Sequence, residues 1–214
     1  MLSGACAPVD DNYTERAPRF VHSLGEKLTQ TDRPLRADAA RNRARVLEVA
    51  YDAFAAEGMS VPIDEIARRA GVGAGTVYRH FPTKEDLFRA VAEVLIQRIV
   101  NEGRALAAGE APGDALFVFL RALVLQWGAT DRGLTDALTG GEIDVETAMP
   151  ETEEAFLQIL GDLLKAAQDA GTARTDIGVR DVKVLLVGCF AIQAANPESA
   201  DRLTEVVLDG LRTV

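Results

Sequence analysis

Residues 66–88 read IARRAGVGAGTVYRHFPTKEDLF, and the fold of the chain turns on how three glycines and one proline punctuate this stretch. Just ahead of it, Pro62 suits a first helical turn, where the N–H it lacks would go unpaired anyway. Ile63, Ile66, Ala67 and Ala70 fall at i, i+3, i+4 and i+7, the spacing of one apolar helix face. That spacing predicts a short helix ended by Gly71, which can take the left-handed backbone that closes a helix. Gly71-Val72-Gly73 then forms a three-residue turn, with Val72 expected against Ile66 and Ala67. A second short helix follows over 74–81, with Val77 and Phe81 four apart on its inner face and Pro82 closing it. Thr83 is placed to cap the next helix, and Glu85 and Asp86 suit the positive end of its dipole. Two short helices joined by a glycine-containing three-residue turn make a helix-turn-helix arrangement.

Working outward, a first helix over 39–57 carries Val46, Leu47, Ala50 and Phe54 on one face and stops at Gly58. The helix opened by Thr83 uses Leu87, Phe88, Val91, Leu95 and Ile99. Further helices are expected near 112–128, 131–139, 151–170, 178–194 and 198–212, separated by breaks at 109–113, 140–141, 171 and 196–197. The segment from Leu116 to Trp127 is apolar nearly all round, as for a helix inside a bundle or beside a cavity. No alternating run bounded by turn residues reads as a strand. The fold class is all-α: about nine helices, with an N-terminal three-helix helix-turn-helix unit at 36–90, a helical bundle at 91–214, and a polar leader at 1–35.

The chain of 214 residues carries a net charge of −10, and the excess is not spread evenly. Residues 36–90 hold nine basic and eight acidic side chains, whereas 91–214 hold ten and twenty. A slightly basic unit with Arg36, Arg41, Arg43 and Arg45 near its start can face DNA while the acidic remainder faces solvent. No apolar run reaches the ~20 residues that span a bilayer, and the leader lacks the pattern of a secretory signal, so a cytoplasmic protein is expected. Cys6 and Cys189 form no framework, and His22 and His80 are the only histidines. A His-based triad or multi-histidine metal site therefore cannot be built within one chain. Phosphate-loop and dinucleotide-loop signatures are absent; an enzyme, a metal and a cofactor are not expected. The acidic stretch of Glu142, Asp144, Glu146, Glu151, Glu153 and Glu154 reads as a solvated loop and helix start.

With Val77 and Phe81 turned inward, the second short helix leaves Ala74, Gly75, Thr76, Tyr78, Arg79 and His80 at or near the surface. Thr76 can touch a thymine methyl, and Arg79 can make a bidentate contact to guanine. Tyr78, His80, Thr83 and Lys84 can reach phosphates, and the first amides of the following helix offer a further anion contact. Singly, each residue has a plainer role: a solubilising cation, a half-buried ring or a helix cap.

Together, residues 41–91 resemble the DNA-binding domain of TetR-family transcriptional regulators. The spacing of Ala67, Gly71, Val72, Thr76, Tyr78, Phe81, Lys84 and Leu87 carries the resemblance. It implies a homodimer that binds a palindromic operator through two such helices and loses affinity when a small molecule enters the C-terminal bundle, most often as a repressor. Carried over by position, Thr76, Tyr78 and Arg79 match sites near bases, Tyr78, His80 and Lys84 match phosphate clamps, and Gly75 permits close approach. Arg41 and Arg43 stand at the arm. Gly73 and Ala74 depart from the family pattern, which often has serine and a longer polar residue there, so fewer side chains read bases. A second reading keeps the fold but makes the partner a metabolite or protein. The C-terminal region resembles the SbtR-like branch. Its expected effector-binding residues are Phe119, Leu123, Gln126, Trp127, Phe156, Leu160, Cys189, Phe190 and Gln193, which join apolar walls to a few polar groups. Val182, Leu185, Leu186, Leu203, Val206 and Val207 suit a four-helix dimer interface, in competition with core packing.

Overall fold

A computed structural model describes residues 34–109, 111–140 and 144–213. Most of the expected leader, with Cys6 and His22, lies outside them. The described residues form helices α1 (Pro34–Glu57), α2 (Ile63–Ala70), α3 (Ala74–His80), α4 (Lys84–Gly109), α5 (Ala115–Ala122), α6 (Gly128–Thr130), α7 (Arg132–Thr139), α8 (Val145–Ala148), α9 (Pro150–Asp169), α10 (Val179–Ala195) and α11 (Ala200–Gly210), and no strand. The all-α reading stands. No helix among the described residues is long and apolar enough to cross a membrane.

The N-terminal unit closes over the side chains its periodicity selects. Val46, Leu47, Ala50 and Phe54 of α1, Ile63, Ile66, Ala67 and Ala70 of α2, Val77 of α3, Phe81, and Leu87, Phe88 and Val91 of α4 are all buried. Phe54 and Phe88 meet edge to face at 5.4 Å, a favoured quadrupole geometry. Gly71, at φ 67°, ends α2, and the N–H of Val72 donates to Ala67 O at 3.1 Å. This left-handed close turns the chain sharply enough to lay α3 across α2.

α4 passes through position 90 without a break and packs along α9, while α1 packs on both α2 and α7. The element expected over 112–128 is α5, followed by a π-helical turn (Leu123–Trp127) and the short α6. α8 is an element the sequence reading lacks, a single turn capped by Asp144, whose side chain accepts the Thr147 N–H. The acidic stretch is also less solvated than expected, since Glu153 is buried and pairs with Lys183 of α10. α10 and α11 lie side by side over α5 and α9.

Candidate nucleic-acid interface

α3 shows its outer face to solvent. Val77 is fully buried, so the residues flanking it are forced outward: Tyr78 is 45% exposed, and Arg79 and His80 are exposed with Thr76 half-buried. Arg79 has no ion-pair or hydrogen-bond partner among the described residues. Other cations of the unit are already engaged. Arg68 and Arg69 both hold Glu65, at 2.7 Å and 2.8 Å, and Arg69 also holds Glu57. Their hydrogen bonds keep the Glu65 carboxyl down to about 2, so it stays anionic and offsets them wherever the fold is intact. Arg43 lies over the Phe81 ring at 5.3 Å, and Arg45 stands beside Gly71. Arg41 pairs with Asp38 on an exposed surface, a bond that a phosphate can displace at little cost.

The glycines at the start of α3 are informative. A Cβ placed on Gly73 or on Gly75 would meet nothing within 4 Å. Packing within the protein therefore does not demand glycine at either position, although Gly75 in a helix costs roughly 0.5–1 kcal/mol against alanine. The open backbone lies beside Thr76 and Arg79, where a partner can approach closely.

Thr83 and Lys84 have internal duties. Thr83 Oγ1 accepts the Asp86 N–H at 3.0 Å and donates to Asp86 Oδ2 at 2.8 Å, while the Thr83 N–H donates to the same carboxylate at 3.2 Å. This is a reciprocal capping box, and the Thr83 hydroxyl holds the Asp86 carboxyl below the usual carboxylate range. Thr83→Ala is expected to destabilise the protein by about 0.5–2 kcal/mol in urea unfolding. Because the Asp86 pKa is depressed on folding, its contribution is complete above the ordinary aspartate range and fades as pH falls through the lowered value; in Thr83→Ala that acid-side fade should shrink. Lys84 Nζ donates to Met59 O at 2.7 Å, tying α4 to the turn after α1.

The expected effector residues divide. Phe119, Leu123, Leu160 and Cys189 are buried in the core, and burial pushes the Cys189 thiol up. Trp127, Phe156, Phe190 and Gln193 are half-buried. Phe119 and Trp127 meet edge to face at 6.5 Å, and Phe190 and Gln193 close over Gly128. Gln126 does not join them, for it is exposed: the π turn carries one more residue per turn than an α-helix and rotates it off the Leu123 face. Two open clefts lie elsewhere, about 620 Å³ between the end of α1 and α7 and about 400 Å³ beside α8, α9 and α10. At the expected dimer face, Val182 and Leu186 belong to the protomer core, whereas Leu185 and Val206 are exposed, as is Val184, missed by periodicity, at 70%.

Residues 46–91 match the family of bacterial regulatory proteins named for tetR, and residues 111–213 match the C-terminal domain of SbtR-like transcriptional regulators. A TetR transcription regulatory protein from Mycobacterium vanbaalenii is similar at 59% identity and TM-score 0.62, over 84% of this chain and 100% of that one. The chain belongs to the TetR family. A TetR transcriptional regulator from Streptomyces coelicolor is 32% identical over 80% of this chain and 99% of its own, with TM-score 0.60. An HTH-type transcriptional regulator from Staphylococcus aureus is 44% identical over 68 residues, which make up 31% of this chain and 35% of the relative. The match to that curated relative thus spans about a third of its length.

This TetR-family chain also holds a buried polar cluster that sequence reading missed. Asp131, 2% exposed, receives a hydrogen bond from the buried Tyr51 of α1 and has the Arg98 guanidinium of α4 at 3.9 Å. Burial raises the Asp131 carboxyl above its ordinary range, and burial with the Asp131 bond raises the Tyr51 phenol. Asp131 precedes α7 like a helix cap, the one signal that marks it; its partners come from helices far away in sequence.

Proposed function

We propose that this protein is a transcriptional regulator, a repressor acting in the cytoplasm as a homodimer, which reads a palindromic operator through α3 of each protomer and releases it when a small molecule enters the C-terminal helices. The outward face of α3, with Arg79 unpaired beside an uncrowded Gly75, carries this reading. Arg79 is placed for guanine and Thr76 for a thymine methyl. Tyr78, His80, Arg43, Arg41 and the remaining Lys84 protons serve phosphates, with Thr83 holding the α4 amides toward the same strand. Phe119, Trp127, Phe156, Phe190 and Gln193, over the buried Leu123, Leu160 and Cys189, favour an effector of mainly apolar character with one group that hydrogen-bonds Gln193.

The dimer is assigned to α10 and α11, where Val184, Leu185 and Val206 are exposed apolar side chains. Two such pairs from two copies form a four-helix interface. The double substitution Val184→Glu with Val206→Glu should give a folded monomer in sedimentation equilibrium, because neither residue contributes to the protomer core. A retained dimer would move the interface elsewhere.

The reading is tested by selecting duplexes from a random pool with the full chain, then titrating salt against the selected and a scrambled duplex. Selective binding to an inverted repeat is expected, with log affinity falling by about 0.9 per neutralised phosphate for each decade of salt. Equal, weak binding to all duplexes would overturn it in favour of a metabolite- or protein-binding module on the same fold.

A further inference from the structure

The contact between α1 and the C-terminal helices is closer than side chains normally permit. A Cβ on Gly133 of α7 would lie 2.1 Å from Phe54 O, 2.8 Å from Gly58 N and 2.9 Å from Ala55 O. The two helix backbones touch there. One turn earlier on α1, Tyr51 bonds Asp131, whose Oδ2 is buried without a hydrogen-bond partner. Arg98 has three neighbours around its guanidinium: it hydrogen-bonds the Tyr51 hydroxyl, it sits over the Trp127 ring at 5.8 Å to the centroid, and its Nη2 is 3.9 Å from that Asp131 oxygen, too far for a hydrogen bond. Trp127 in turn meets Phe119 and is joined to Asp131 through the backbone, the Asp131 N–H donating to Trp127 O at 2.8 Å.

We infer that Arg98 is a two-position latch that couples the Trp127 region to α1, resting on Trp127 in the state described here and moving onto Asp131 Oδ2 when the ring face is taken by another group. A buried carboxylate oxygen left unpaired is costly, so the second position is favoured as soon as the cation–π contact is lost. Full engagement of Asp131 by Arg98 redistributes its bond to Tyr51. Because Gly133 holds α1 backbone to backbone, a change at Tyr51 is passed to the N-terminal unit as a change of angle. Arg98, Asp131 and Tyr51 are positioning residues: they touch neither DNA nor effector. The latch rests on the regulator reading only for its consequence at DNA.

Trp127 is the sole tryptophan of the chain, so its fluorescence reports directly on the Arg98 position in the intact dimer. Tyr51→Phe, which removes only the hydroxyl, and Arg98→Lys, which keeps the charge but loses the flat guanidinium, should each change Trp127 emission and acrylamide quenching while melting remains cooperative. Tyr78→Ala, on the exposed face of α3, should not. Duplex selected as above should shift Trp127 emission in the native chain and fail to do so in Tyr51→Phe, with affinity altered about tenfold, within the usual range of coupling between sites. Emission identical in the native chain, Tyr51→Phe and Arg98→Lys would overturn the latch, whatever happens at DNA. Emission that responds to the substitutions in a protein that selects no duplex would uphold the latch and overturn the regulator reading.

Discussion

Arg79→Ala is expected to weaken binding to the selected operator by roughly 5- to 150-fold, about 1–3 kcal/mol, and to relax discrimination at the base pair it contacts. The thermal midpoint should not fall, because Arg79 is exposed, makes no bond within the described residues and gives way to the best helix former. This separation of affinity from stability distinguishes a base contact from a surface cation that merely solubilises α3. Tyr78→Ala provides the contrast, lowering affinity for selected and scrambled duplexes alike, as expected of a phosphate contact. Equal operator affinity in Arg79→Ala and the native chain would remove α3 as the reading element even though the family assignment stands.

Phe54→Ala carries the largest expected loss of stability, about 3–5 kcal/mol. Phe54 is fully buried with its ring against Phe88, so the cavity opens between α1 and α4. For a chain of this size the midpoint should drop by roughly 6–20 °C, read by calorimetry. A drop of less than about 3 °C would mean that α1 and α4 close over the space, contrary to the close packing of Phe54 with its neighbours.

The N-terminal unit was legible because its information is local. Gly71 fixes a left-handed close, Val77 and Phe81 fix which face of α3 is hidden, and Thr83 with Asp86 marks the start of α4 within four residues. The C-terminal helices were legible as helices but not as surfaces. In a nearly continuous apolar run such as 182–190, periodicity does not say which side meets the protomer and which meets a partner, so interface and core compete for Val182, which the structure buries, and Val184 stays outside the expected set. Gln126 was placed on the Leu123 face by a 3.6-residue period that the π turn interrupts. α8 is too short to show any period. Asp131, Tyr51 and Arg98 are brought together solely by tertiary packing, and no spacing rule within one helix relates them.

The unbroken course of α4 from the end of the N-terminal unit into the C-terminal helices has a mechanical side. At 1.5 Å per residue its 26 residues make a rod of roughly 39 Å. Pivoting such a rod by about 5° at its C-terminal end carries its N-terminal end, joined to α3 through residues 81–83, through about 3 Å. That stroke is close to the rise of one base pair along duplex DNA, about 3.4 Å. In the dimer proposed above, a displacement of this size would put the two α3 helices one step out of phase with the grooves of an operator.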